Sequence, residues 1–80
     1  MRYVVMLESP FLDKTSCEGK FENLEEAKES CLDYLDETDF IKWEEVVEDG
    51  ERQYHGRIFW NEDDEGDIKR DWYRIIDMEG

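Results

Sequence analysis

The dipeptide Asp49-Gly50 constrains this chain more than any other feature of its sequence. It supplies the two left-handed positions that a type I′ turn needs, and it lies at the centre of an alternating stretch over residues 40–60. Folding the chain there sets Ile41 opposite Ile58, Trp43 opposite Gly56, Glu45 opposite Tyr54 and Val47 opposite Arg52, with Trp60 on the same side. Lys42, Glu44, Gln53, His55 and Arg57 fall on the other side. Side chains alternate with a period of two, so a slip of one residue would exchange the two sides. Gly56 opposite Trp43 also fits an indole lying across a strand glycine.

The flanking segments suggest how the hairpin is completed. Residues 2–8 form an almost continuous apolar run that reads as a strand buried on both faces, hence a central one. Ser9-Pro10 ends it, because proline cannot donate to a ladder. Residues 11–22 read as a connecting loop anchored by Phe11, Leu12 and Phe21. Asn23 opens a helix: Glu26 follows three residues on, as in a capping box, and Leu24, Ala27, Cys31, Tyr34 and Leu35 recur at the helical period. The helix is expected to end near residues 36–38, where Asp36, Glu37 and Asp39 have the wrong sign for the macrodipole. Residues 61–67 form a charged loop, and residues 69–78 a last strand with Trp72, Ile76 and Met78 on one face and Tyr73 and Ile75 on the other. The expected architecture is a single acidic α+β domain over residues 1–80, with one helix packed on a four-stranded, mainly antiparallel sheet in the order β-α-β-β-β. A chain of 80 residues builds only a thin core.

Charge narrows the function classes. The chain has 24 acidic residues against 10 lysines and arginines, a formal charge of −14. Residues 18–51 hold most of the excess, fourteen acids against Lys20, Lys28 and Lys42. Solubility of a small domain needs only about 2–8 net charges, so the surplus calls for another role. Such a balance argues against direct nucleic-acid binding through a basic patch and against anionic membrane surfaces. No apolar run approaches the ~18 residues of a membrane span, and no signal-peptide pattern is present. With Cys17 and Cys31 as the only cysteines, the expected compartment is a reducing cytoplasm with free thiols, though the spacing leaves a 17–31 disulfide open.

No catalytic constellation is apparent. His55 is the single histidine and faces Glu44 across the hairpin, the serines and threonines lack a nucleophile context, and no glycine-rich phosphate loop occurs. The chain is therefore expected to be non-enzymatic and without a cofactor. Residues 61–72 partly echo a calcium loop, with Asn61, Asp63 and Glu65 alternating before Gly66. Trp72 stands where a bidentate glutamate should close the sphere, so no metal site is assigned, and weak calcium or magnesium binding at residues 61–67 stays as a third reading.

The candidate binding residues are the helix acids Glu22, Glu25, Glu26, Glu29, Asp33, Asp36 and Glu37. They advance by three or four residues and so form a column along the solvent side, roughly one per 5.4 Å turn. Glu62, Asp63, Asp64, Glu65 and Asp67 form a secondary acidic loop. A dense carboxylate array can stand in for nucleic-acid phosphates and occupy a basic groove. In size, acidity and element order the chain resembles the small inhibitors that bacteriophages and mobile elements direct at host nucleases, glycosylases and CRISPR effectors. That resemblance implies a basic nucleic-acid-binding host protein as partner, and it carries over no functional residue. The alternative is a small accessory domain that homodimerises through a sheet face, with Trp72 or Tyr73 as anchor and the charge serving solubility.

Overall fold

In the computed structural model the elements follow as β1 (Tyr3–Ser9), β2 (Lys14–Phe21), α1 (Leu24–Leu32), β3 (Phe40–Glu48), β4 (Glu51–Phe59) and β5 (Ile68–Asp77). The structure describes residues 2–10, 14–33, 35, 39–59 and 68–79, with the backbone alone for residues 68–70. The strands form one antiparallel sheet in the order β2-β1-β5-β4-β3.

The hairpin follows the expected register at every pair: Ile41 with Ile58, Trp43 with Gly56, Glu45 with Tyr54 and Val47 with Arg52. Asp49 and Gly50 take φ values of 53° and 82°, the left-handed pair whose twist matches the flanking strands. β1 lies between β2 and β5, the interior place its apolar run suggests, but it is not buried on both faces: Tyr3 and Val5 are buried beneath the helix while Val4 and Met6 on the other face are half-buried. In β5, Tyr73 and Ile75 are buried beneath the helix while Trp72 and Ile76 are half-buried on the opposite face, the expected alternation.

Three expectations are corrected. The sheet has five strands rather than four, and the order is β-β-α-β-β-β, because residues 14–21 of the expected loop form β2. Its sequence, Lys14-Thr15-Ser16-Cys17-Glu18-Gly19-Lys20-Phe21, is mostly exposed and carries no apolar alternation. β2 is an edge strand held by pairing with β1 through an irregularity opposite Val5 and Met6, and its lysines and bulge are the devices that keep edges from pairing further. The helix also stops earlier than expected, at Leu32 with Asp33 as C-cap. No basic residue occupies its last turn to offset the dipole, and Leu35 N–H donates to the Leu32 carbonyl at 3.1 Å, tightening the exit so that Leu35 returns to the core. Phe11, Leu12, Tyr34 and Trp60 lie outside the described residues.

Between β2 at one edge and β3 at the other, the chain crosses a single face of the sheet, and that crossing carries α1. Ala27 and Cys31 are completely covered and meet Tyr3, Val5, Ile58, Tyr73 and Ile75. Leu7, Phe21, Leu24, Ile41, Trp43 and Tyr54 pack around this cluster. Both cysteines are free. Burial pushes the Cys31 thiol up to about 12, so it serves as a small apolar group. Gly56 lies under the Trp43 indole, where a Cβ would come within 2.8 Å of the ring and 2.9 Å of the Ile41 side chain.

At one end of the sheet Asp77 is almost fully buried and receives two hydrogen bonds from Arg2, Nε to Oδ1 at 3.0 Å and an Nη to Oδ2 at 3.1 Å. Glu79 N–H donates to the same carboxylate at 3.1 Å. Arg2 is the main reason the Asp77 carboxyl is held below its ordinary value of 3.8. A carboxylate lowered in the folded state adds stability above its unfolded value, and that contribution disappears as pH falls through the folded value. Asp77→Asn is therefore expected to melt about 5–15 °C below wild type at pH 7. The gap should close as pH drops below about 4. Thermal melts of the two proteins from neutral to acid pH check this, and a gap that stays constant with pH would remove the ion pair from the account.

Candidate functional site

The acidic surface begins with the helix cap. Asn23 is extended (φ −134°, ψ 144°), and its Oδ1 accepts the Glu26 N–H at 3.0 Å. The cap fixes where the helical phase starts and so which side chains face outward. At 100° per residue, Glu25, Glu26, Glu29 and Asp33 fall within an arc of about 100°. Leu24, Ala27 and Cys31 occupy a narrower arc opposite, against the sheet. All four acids, and Glu22 just before the cap, are exposed. The structure thus sets four of the helix acids named from sequence on one arc, with Glu22 exposed just ahead of the cap. Asp36, Glu37, Glu62, Asp63, Asp64, Glu65 and Asp67 lie outside the described residues.

The helix has one lysine, and it does not neutralise this column. Lys28 turns toward the sheet, its Nζ 5.6 Å from the Trp43 ring and 5.6 Å from the Tyr54 ring. Held over two aromatic faces, it leaves the carboxylates without a cation of their own helix beside them. From Glu25 to Asp33 the axial rise is about 12 Å, which places the four carboxylates roughly one per 3–4 Å. One strand of duplex DNA carries a charge per ~3.4 Å and both strands together one per ~1.7 Å. The helix face therefore approaches the charge density of a single backbone. On the same side of the sheet Glu45 adds an exposed carboxylate on β3, bound to Arg52 Nε at 2.9 Å, while Glu44 and Glu48 are exposed on the other side.

The opposite sheet face, which the helix leaves open, carries a different chemistry. Phe40 and Phe59 stack with centroids 5.1 Å apart, and Lys42 Nζ lies 5.0 Å from Phe59 and 5.8 Å from Phe40. The Arg57 guanidinium lies 4.7 Å from the Trp72 ring, and the His55 imidazole meets that indole from 4.8 Å. Arg74 pairs with Glu8 at 2.5 Å, and Thr15 donates to Glu8. His55 aligns with Glu44 as the sequence suggested, but its Nε2 is bonded to Gln53 Oε1 at 3.0 Å. Burial first, then Arg57 and Arg74, hold His55 below its ordinary 6.5, so it is neutral at pH 7. The period-two alternation sets Lys42, His55 and Arg57 on one side of the hairpin but gives no sign of the rings beside them. The β4–β5 register that brings Trp72 beside Arg57 leaves no local signal in the chain.

Two concavities among the described residues are open to solvent. One of ≈ 300 Å³ at the hairpin tip is lined by Glu48, Asp49, Glu51 and Gln53, and one of ≈ 280 Å³ by Glu8, Ser9, Pro10, Lys14, Thr15 and Trp72. Neither encloses a ligand as the concave pockets of small-molecule sites do, since both lie open to solvent. Among the described residues, no group of three or more His, Cys, Asp or Glu is placed to hold a metal ion, and no helix is long and apolar enough to cross a membrane. Compared with known proteins, the chain matches no family model, no curated protein and no solved structure.

Proposed function

We propose that this chain is a non-enzymatic acidic docking protein of the phage or mobile-element inhibitor type. Its helix column would occupy the basic groove of a host nucleic-acid-binding enzyme. Glu22, Glu25, Glu26, Glu29 and Asp33 make the primary contact, with residues 61–67 as a second acidic segment. The observation that supports this reading is the pairing of two features on α1. Four carboxylates share one arc, and the helix's single lysine is drawn away to Trp43 and Tyr54.

The physics of such a contact is electrostatic. A groove that neutralises phosphates with lysines and arginines gains by releasing counterions, and a carboxylate array competes for the same cations. Association would be steered over about a Debye length, roughly 8 Å at physiological salt, and would weaken as salt rises. The test immobilises the chain, passes a bacterial lysate over it, and elutes with a salt gradient. The expected result is a basic nucleic-acid enzyme that leaves at moderate salt and is also displaced by added DNA or RNA. A bound protein indifferent to both salt and nucleic acid would refute the reading.

A further inference from the structure

We propose that the open sheet face is a self-association surface, across which a second copy of this chain packs face to face. The inference rests on the sheet and not on the acidic helix, so it stands or falls independently of the docking function.

The first argument is charge. Two copies carrying −14 each repel strongly unless they meet where that charge is locally absent. The helix side presents Glu22, Glu25, Glu26, Glu29 and Asp33. Among the described residues of the open face Arg74 and Glu8 neutralise each other, leaving Lys20, Lys42 and Arg57 against Glu44, Glu48 and Glu51, with His55 neutral. That face is close to electroneutral, so on it a second copy meets a complementary mixture of signs.

Composition is the second argument. Trp72, Phe40, Met6, Val4, Ile76 and Val46 are each only half-buried here, and the Arg57 guanidinium lies over the Trp72 ring. Aromatic residues, methionine and arginine are the types enriched at interface centres, while lysine and acids are depleted there. The Arg57 and Lys42 side chains already cover the ring faces, which disfavours stacked nucleobases as the occupant and leaves a surface suited to side-chain packing.

Area supplies the third. Strands of seven to ten residues, spaced about 4.8 Å apart with about 3.3 Å per residue, give a face of roughly 600 Å². Two such faces bury roughly 1,200 Å², the lower limit for a specific stable interface. The outer surface of a nine-residue helix, about 13 Å long, is several-fold too small. A head-to-tail arrangement of helix on sheet is therefore disfavoured. Face-to-face packing would also leave both helices on opposite outer surfaces, free for other contacts.

The test is sedimentation equilibrium of the full chain, wild type against Lys42→Glu/Arg57→Glu, with circular dichroism to confirm that the variant folds. Wild type is expected to reach twice the mass of one chain, and the variant to dissociate at least about tenfold more readily. Raising salt from about 20 mM to about 300 mM should strengthen the dimer several-fold, because it screens the repulsion between two −14 chains. That sign is opposite to the salt response expected for a basic partner on the helix, so the two proposals fail separately. A monomer at all concentrations, or a dimer indifferent to the double reversal, would overturn the inference. So would a dimer lost with salt and broken by Glu25→Lys/Glu29→Lys, since that pattern belongs to a helix-on-sheet contact.

Discussion

Replacing Gly56 with alanine is expected to lower the melting temperature by about 5–15 °C, although the substitution is chemically small. Two effects oppose each other. Alanine narrows the unfolded ensemble, which by itself stabilises by about 0.4–1 kcal/mol. Against this, the new Cβ would come within 2.8 Å of the Trp43 ring and 2.9 Å of the Ile41 side chain. Relief requires the indole to lift, and Trp43 also helps to hold Lys28 and so couples the sheet to α1. Overpacking of this kind costs about 1–3 kcal/mol, which exceeds the entropic gain. Gly56→Val should do worse, because two further carbons must be placed beneath the same ring. Trimming the cover, as in Trp43→Leu, should remove the sensitivity to Gly56→Ala. The double-mutant cycle would then show coupling of at least about 0.5 kcal/mol. A neutral Gly56→Ala would mean that Trp43 does not lie across the strand.

Reversing three exposed helix charges, Glu25→Lys/Glu29→Lys/Asp33→Lys, is expected to weaken partner binding at least about 100-fold while leaving the fold intact. Each reversal adds two charges, so the net charge moves from −14 to −8. All three side chains face solvent, so no packing is lost. The dipole effects nearly cancel, since lysine at Glu25 in the first turn costs about 0.3–1 kcal/mol and lysine at the C-cap position of Asp33 returns a similar amount. The melting temperature should therefore change by no more than a few degrees. Wild-type affinity in the folded variant would exclude the helix column as the contact.

How much of this could be read from the chain depended on how local each determinant was. The Asp49-Gly50 hairpin was fully legible, because the turn chemistry and the period-two pattern act over neighbouring residues and agree in register at every pair. The Asn23 cap was legible for the same reason, since the Glu26 N–H lies three residues from its acceptor. β2 was not legible. An edge strand with no fully buried residue, only Ser16, Gly19 and Phe21 half-buried, carries no apolar alternation, and what holds it is mainly pairing with β1. The end of α1 was misplaced because apolar spacing continued through Leu35, whereas a chain that must turn back to the core stops helical at Leu32. Within the candidate site, the outward column followed from spacing alone. The turning of Lys28 onto Trp43 and Tyr54 did not, since it depends on where the hairpin lies beneath the helix. The Arg57–Trp72 contact likewise depends on the β4–β5 register, which bridges residues distant in sequence.

The central claim is that the acidic helix takes the place of a nucleic-acid backbone in a basic groove. It is tested most directly by competition. The captured partner is loaded with a fluorescently labelled DNA or RNA, and the chain is titrated in while anisotropy is followed. The account predicts full displacement of the nucleic acid, weakening as salt rises, and at least about 100-fold less displacement by the triple reversal. A ternary complex in which the partner keeps its nucleic acid while binding the chain would contradict it.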